Sequence, residues 1–256
     1  MTLTQSELAD RVLAWYALTG RDLPWRHTRD PYQVLVSEVM LQQTQVDRVV
    51  DRWTTWIERW PTAHDLASAA RSDVIAAWQG LGYNRRAVSL HETACLLATD
   101  GVPTDQAGWQ QLPGIGPYTA AAICALALGQ DVIPVDVNVQ RILERSLGTR
   151  MIEPPPGRAH DLTQGLFDLG ATVCLARIPR CDACPLADRC PTRGQRFEPR
   201  RKQSRFEGSR RQARGRLLDE LRAGPLATGS YDPTIAALLI KDGLAELHDQ
   251  NLTLPR

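Results

Sequence analysis

The chain of 256 residues predicts an all-α fold, and three observations lead there. Apolar residues recur at helical spacing over 5–18, 31–45, 46–60, 72–79, 84–98, 117–128 and 137–147. Pro, Gly and Asp punctuate the intervals, as helix ends require. No segment before residue 240 alternates apolar and polar residues as a half-buried strand does.

Along the chain, Thr4-x-x-Glu7 has the form of a capping box and opens the first helix. Asp30-Pro31 supplies an N-cap and a first-turn proline, which sets Glu38 two turns into the next helix. WQGLGYNRR is a glycine-bounded turn that places Leu81 and Tyr83 at a tip flanked by Arg85 and Arg86. Such a tip can wedge into a base stack beside arginines that bind the backbone. In LPGIGP, Pro113 stops one helix and Pro117 opens another. Gly114 and Gly116, with Ile115 between them, let backbone N–H groups face an anion at a helix N-terminus. That is a helix-hairpin-helix signature, which grips phosphate and carries no base information. Pro154-Pro155-Pro156-Gly157 marks a loop between two helical pieces. Residues 193–209 form a basic linker by composition. Beyond it, 210–222 and 232–242 predict helices and LAELHDQNLTLP a hairpin, together a small winged-helix-like module over 210–256.

Charge and composition narrow the function classes. No apolar run approaches the ~20 residues of a membrane span, and the N-terminal stretch has no basic and apolar leader. The expectation is a cytoplasmic, nucleoid-associated protein with no membrane partner. Between Arg193 and Arg216 ten basic residues face Glu198 and Glu207, so a formal net charge of +1 hides a local +8. Such a segment suits phosphate binding by counterion release.

Cys174-x6-Cys181-x2-Cys184-x5-Cys190 places four thiols in a short, turn-rich loop. Without an export signal, a metal centre is expected over disulfides. The spacing leaves iron–sulfur and zinc equally open. Cys95 and Cys124 fall on apolar helical faces and are expected in the core.

Two carboxylates stand in contrasting settings. Glu38 shares a helical stripe with Val34, Leu35, Leu41 and Gln42, where desolvation keeps a proton available. Asp136 lies alone in an apolar run ahead of VNVQRILERSL, where it caps N–H groups at the positive end of a helix. Environments that favour opposite protonation states suit bond cleavage through an oxocarbenium ion.

LPGIGPYTA, the Asp of PVDVNV and the cysteine loop resemble the helix-hairpin-helix DNA glycosylases of the endonuclease III superfamily. SEVMLQQTQV, with Glu38, and GLGY, ending at Tyr83, resemble its A/G-specific adenine glycosylases of the MutY type. The resemblance covers roughly residues 10–190. It implies a six-helix barrel domain over 27–131 and an iron–sulfur cluster domain formed by 1–26 and 132–192. It also implies a 4Fe-4S cluster on the four cysteines. Glu38 and Asp136 become the acid/base pair, oriented by Asn138 and Tyr118, while Trp25 and Arg26 line an adenine pocket. Gln43, Thr44, Leu81 and Tyr83 would read the opposite base. The implied partner of this monomer is double-stranded DNA bearing adenine opposite 8-oxoguanine or guanine.

Tyr118 falls where lyase-competent relatives carry a catalytic lysine, and every residue before Lys202 is something other than lysine. A monofunctional glycosylase that hydrolyses with water is therefore expected. The chain departs from the family pattern in two places. Residues 210–256 are too short for the usual C-terminal domain that inspects 8-oxoguanine. The stretch from Asp136 to Cys174 is also short, with PPPG where a further helix is usual. A thymine or uracil mismatch glycosylase of the same superfamily is one rival, and a non-catalytic DNA-binding protein on this scaffold is another.

Overall fold

In the computed structural model, which describes residues 3–198 and 205–256, many helices start where the sequence supplies an oxygen for the first free N–H groups. The Thr4 hydroxyl accepts from the Glu7 amide at 3.2 Å, and Glu7 Oε2 accepts from the Thr4 amide at 2.9 Å, opening α1 (Gln5–Thr19). Asp30 Oδ1 accepts from the amides of Tyr32 and Gln33 at 2.8 and 3.0 Å and opens α2 (Pro31–Leu41). After these come α3 (Val46–Arg59), α4 (Ala63–Ala67), α5 (Arg71–Ala77) and α6 (Arg85–Asp100). The next four are α7 (Gln106–Gln110), α8 (Pro117–Leu126), α9 (Val137–Ser146) and α10 (Ala159–Asp168). A π-helical turn at Leu169–Val173 extends α10 toward the cysteines. The C-terminal elements are α11 (Arg210–Ala223), β1 (Leu226–Ala227), α12 (Pro233–Lys241), β2 (Glu246–His248) and β3 (Asn251–Thr253).

Most expected helices are present, with informative differences. The segment 31–45 is not one helix: α2 ends at Leu41, Gln43 takes a left-handed φ of 55°, and Gln45 precedes α3. Helices α4 and α7 are additions to the sequence expectation, and α10 is the helical piece expected after the loop at 154–157. In the C-terminal segment β1 joins the expected hairpin as a third strand, giving the antiparallel order β1-β3-β2. Among the described residues no helix is long and apolar enough to cross a membrane. Arg200, Arg201 and Lys202 of the basic segment lie outside the described residues.

Two compact units divide the chain. The first takes the described residues within Met1–Leu35, Thr104–Gln111 and Ile115–Lys202. Its core joins Leu8 and Val12 of α1, Ile142 and Leu143 of α9, and Leu162 and Leu166 of α10. The second takes those within Val36–Pro103, Leu112–Gly114 and Gln203–Arg256. There Trp56 packs edge-to-face on Trp60 and Trp78, with ring centroids 4.7 and 5.4 Å apart. Ile75 of α5 and Val88 of α6 share one core with Leu217, Leu218 and Leu221 of α11 and Leu239 of α12. The C-terminal elements thus pack against α5 and α6 within the second unit.

Candidate active site and cysteine cavity

In the first unit, Asp136 caps α9. Its Oδ1 accepts from the amides of Asn138 and Val139 at 2.8 and 2.7 Å, and its Oδ2 accepts from Asn138 Nδ2 at 2.7 Å. Three donors fix one carboxylate, and Asn138 supplies two of them. Tyr118 stands in the first turn of α8, half-buried, its ring centroid 6.3 Å from that of Phe167. Gly116 is the exposed N-cap ahead of Pro117, and the Ile115 side chain is buried. In the second unit, Gly114 takes a φ of 75°, and a Cβ there would meet Ser89 Cβ at 2.8 Å. Both the left-handed backbone and the close approach demand glycine.

Trp25 is buried on a single 3-10 turn beside Arg26, whose side chain is 7% exposed. The Arg26 guanidinium donates to Asp168 Oδ1 and Oδ2 at 2.7 and 2.9 Å and to the Arg21 carbonyl at 2.9 Å. Its Nε is buried without a partner. Arg21 adds its own bonds to Asp168, from Nε at 2.6 Å and from its amide at 2.9 Å. Asp168 is a site-shaping residue that the sequence analysis missed. Burial pushes its carboxyl up, and the bonds from Arg26 and Arg21 outweigh burial, holding it below the usual carboxylate range. A group depressed in this way adds stability above its unfolded pKa and loses it as pH falls through the folded value. Asp168→Asn is expected to lower the unfolding free energy at pH 7 by about 3–5 kcal/mol, because Arg26 stays buried without its counter-charge. Urea titrations of both proteins check this: the gap between them must narrow as pH drops below the usual carboxylate range.

Cys174, Cys181, Cys184 and Cys190 line one cavity, whose apolar wall includes Ile142, Leu169, Val173 and Leu186. Among the described residues no three Cys, His, Asp or Glu side chains converge closely enough to hold a single metal ion. Donors already face sulfur: Arg145 Nη1 lies 3.5 Å from Cys174 Sγ, and the Gly194 amide 3.3 Å from Cys181 Sγ. Burial, reinforced by the other three cysteines, pushes the Cys184 thiol up to about 11, so a thiolate there needs a cation beside it. Four thiols around one cavity are a donor set that suits a thiolate-bound metal centre. Phe197 stacks on the Arg145 guanidinium at 3.6 Å, so part of the basic segment lies against the cysteine loop. Cys124 is buried as expected, and Cys95 is half-buried.

In the second unit, Glu38 is 5% exposed and its helix neighbours Val36, Ser37, Val39 and Met40 are buried with it. The Gly80–Tyr83 turn is held from beneath by Arg86. Arg86 Nη1 donates to the carbonyls of Val39, Met40 and Gln42 at 2.6, 3.1 and 2.7 Å. Its Nη2 donates to Thr44 Oγ1 at 3.2 Å and to the carbonyls of Leu81 and Gly82, both at 3.0 Å. Burial pushes its pKa down to about 10. Arg86, expected on the DNA side, is instead an internal staple, because the carbonyls at the end of α2 need donors more than a phosphate does. Gln43 is exposed with a φ of 55°, and Tyr83 is 47% exposed with a φ of 45°. Thr44 Oγ1 also reaches the Leu81 carbonyl at 3.3 Å. The Leu81 side chain is buried, leaving Tyr83 as the exposed aromatic of the turn.

Residues 36–164 match the family model described as "HhH-GPD superfamily base excision DNA repair protein", and the chain belongs to that superfamily. It is 44% identical over 232 residues to the adenine DNA glycosylase of Mycolicibacterium smegmatis, covering 82% of this chain and 79% of that protein. Among solved structures it resembles a thermostable thymine-DNA glycosylase, with a TM-score of 0.68 and 29% identity over 73% of this chain and 95% of that one. A trapped endonuclease III–DNA covalent intermediate matches with a TM-score of 0.63 and 23% identity, covering 74% and 97%, and shows the fold alone.

Proposed function

We propose that this chain is an adenine DNA glycosylase that hydrolyses the N-glycosidic bond of adenine paired with 8-oxoguanine or guanine in duplex DNA. The observation that carries the chemistry is the contrast between Glu38, buried at 5% exposure on α2, and Asp136, fixed by three N–H donors. Likeness to an adenine glycosylase at 44% identity supports the choice of base.

The adenine is flipped from the duplex into a pocket that includes Trp25 and Arg26, whose buried Nε is an unused donor. Glu38 gives its proton to the base at N7, and the C1′–N9 bond breaks with its electron pair leaving on a neutral adenine. Asp136 stabilises the sugar cation that remains. Glu38, now ionised, takes a proton from water as the oxygen adds to C1′. Asn138 holds Asp136 in place, and Tyr118 helps to orient the pair. The hairpin Gly114-Ile115-Gly116 grips the DNA backbone, while Gln43, Thr44 and Tyr83 meet the base opposite and the buried Leu81 side chain anchors the turn from within. Cys174, Cys181, Cys184 and Cys190 would hold a 4Fe-4S cluster, which when bound cross-links their loop.

Tyr118 and the lysine-free sequence before Lys202 leave no core amine for a Schiff base. Duplexes carrying A opposite 8-oxoguanine, A opposite G, and T or U opposite G provide the test. Free adenine and a strand that breaks only in alkali are expected. Release of thymine without adenine would overturn the substrate, and strand cleavage before alkali, or trapping by borohydride, would overturn the monofunctional chemistry.

A further inference from the structure

The Gly80–Tyr83 turn is an awkward one. Gly80, Gly82 and Tyr83 all take left-handed φ values, 87°, 70° and 45°. A tyrosine there persists only when its surroundings hold it. Arg86 holds the turn from beneath, and the C-terminal segment holds it from both flanks. Arg222 of α11 has a side chain only 10% exposed. It donates to the Ile75 carbonyl at 3.1 Å, to Asn84 Oδ1 at 3.3 Å and to Asp219 Oδ1 at 2.6 Å. Asp219 in turn accepts from Gln79 Nε2 at 3.4 Å, on the other side of the turn. Asp242, after α12, pairs with Arg214 and with Arg85, the latter at 3.4 Å. Residues 79, 84 and 85 bracket the turn, and all three are held by one docked segment.

We propose that the segment 205–256 braces the Gly80–Tyr83 turn through Arg222 and Asn84, and thereby sets how sharply the protein discriminates the base opposite adenine. This rests on the reading of that turn as part of the opposite-base site. Two features favour a brace over a tethered DNA-binding module. The shared core with Ile75 and Val88 fixes α11 against α5 and α6. The guanidinium of Arg222 is spent inward, with burial lowering its pKa, and it faces the Ile75 carbonyl and Asn84, the residue that follows the turn. Arg222 is thus a positioning residue, acting through Asn84 on Tyr83.

The test uses the full chain in four forms: Arg222→Met, Asn84→Ala, the double variant and Arg222→Lys. Single-turnover adenine release is measured with 8-oxoguanine, guanine and cytosine opposite, alongside the thermal midpoint. The rate ratio between 8-oxoguanine and cytosine is expected to fall about tenfold in either single variant, the effect of losing one hydrogen bond to a charged group. The double variant falls no further, because both changes break the same contact, and Arg222→Lys recovers part of the ratio. A lowered midpoint with the ratio unchanged overturns the proposal, since a merely structural contact does that. A uniform, salt-dependent loss on all three duplexes overturns it as well, because Arg222 would then be acting on phosphate. If Arg222→Met does not fold, Asn84→Ala decides alone. Tyr83→Ser separates the two levels. If it leaves the ratio intact, the turn is not the reader. If it lowers the ratio while Asn84→Ala and Arg222→Met do not, the brace alone is refuted.

Discussion

Glu38→Gln is expected to stop adenine release while leaving binding to a lesion duplex within about threefold, a difference of under 1 kcal/mol. Glutamine keeps the shape of the side chain and most of its hydrogen-bonding capacity, so the buried face of α2 that includes Val34 and Leu35 has no reason to collapse. What it loses is the exchangeable proton. It cannot protonate the leaving base, and it cannot take a proton from water in the second half of the reaction. General acid–base catalysis contributes about 10²–10⁴-fold for one such group. Glu38 serves both halves of the reaction, so the loss belongs at the upper end. Single-turnover rates and gel-shift affinities on the same duplex separate the two quantities. A variant that still releases adenine within tenfold of the parent would remove Glu38 from the chemistry. A variant that loses binding and rate together would make it a structural residue instead.

The parts of this site that were legible in the sequence are those whose physics is local. Asp136 caps α9 because a cap needs only an oxygen ahead of two free amides, and both amides lie within three residues. Asp30 ahead of α2 and Thr4 ahead of α1 follow the same rule. The cysteine spacing pointed to a shared metal centre, and the four thiols do line one cavity. What stayed hidden depends on distant partners. Arg86 draws its acceptors from residues 39–44 as well as 81–82. Asp168 meets Arg26 from 142 residues away. No periodicity contains that information, and an isolated arginine beside a glycine-rich turn suggested a phosphate contact. The helical piece after Gly157, α10, had no legible bounds for a packing reason. Gly165 interrupts its pattern, and a Cβ there would lie 2.8 Å from Val12 Cγ1, so the residue that weakens helix propensity is the one that lets α1 and α10 approach. The core shared by Ile75 with Leu217 and Leu252 was invisible for the same reason as Asp168.

Asp136→Asn is the second large effect expected, and it separates stability from chemistry more sharply than Glu38→Gln does. As an N-cap, asparagine is about as good as aspartate. Its carbonyl can still accept from the Asn138 and Val139 amides, which now share Oδ1. The cost to folding is confined to the other oxygen, where an NH₂ would face Asn138 Nδ2 at the 2.7 Å now occupied by a donor–acceptor pair. A loss of about 1 kcal/mol in unfolding free energy follows, that of one hydrogen bond. The loss in rate is of another order. A neutral side chain cannot stabilise a sugar cation, and removing one preorganised electrostatic contact costs about 10²–10³-fold in kcat. Asn138→Ala provides the comparison, since it removes the Oδ2 donor but leaves the carboxylate charged and both backbone amides in place. Its rate should fall only about tenfold, the size of one hydrogen bond to a charged group. The ordering Asp136→Asn far below Asn138→Ala, at nearly equal thermal midpoints, is the signature of a carboxylate used for its charge. Equal rate losses in the two variants would instead mean that Asp136 acts through the geometry of the α9 cap.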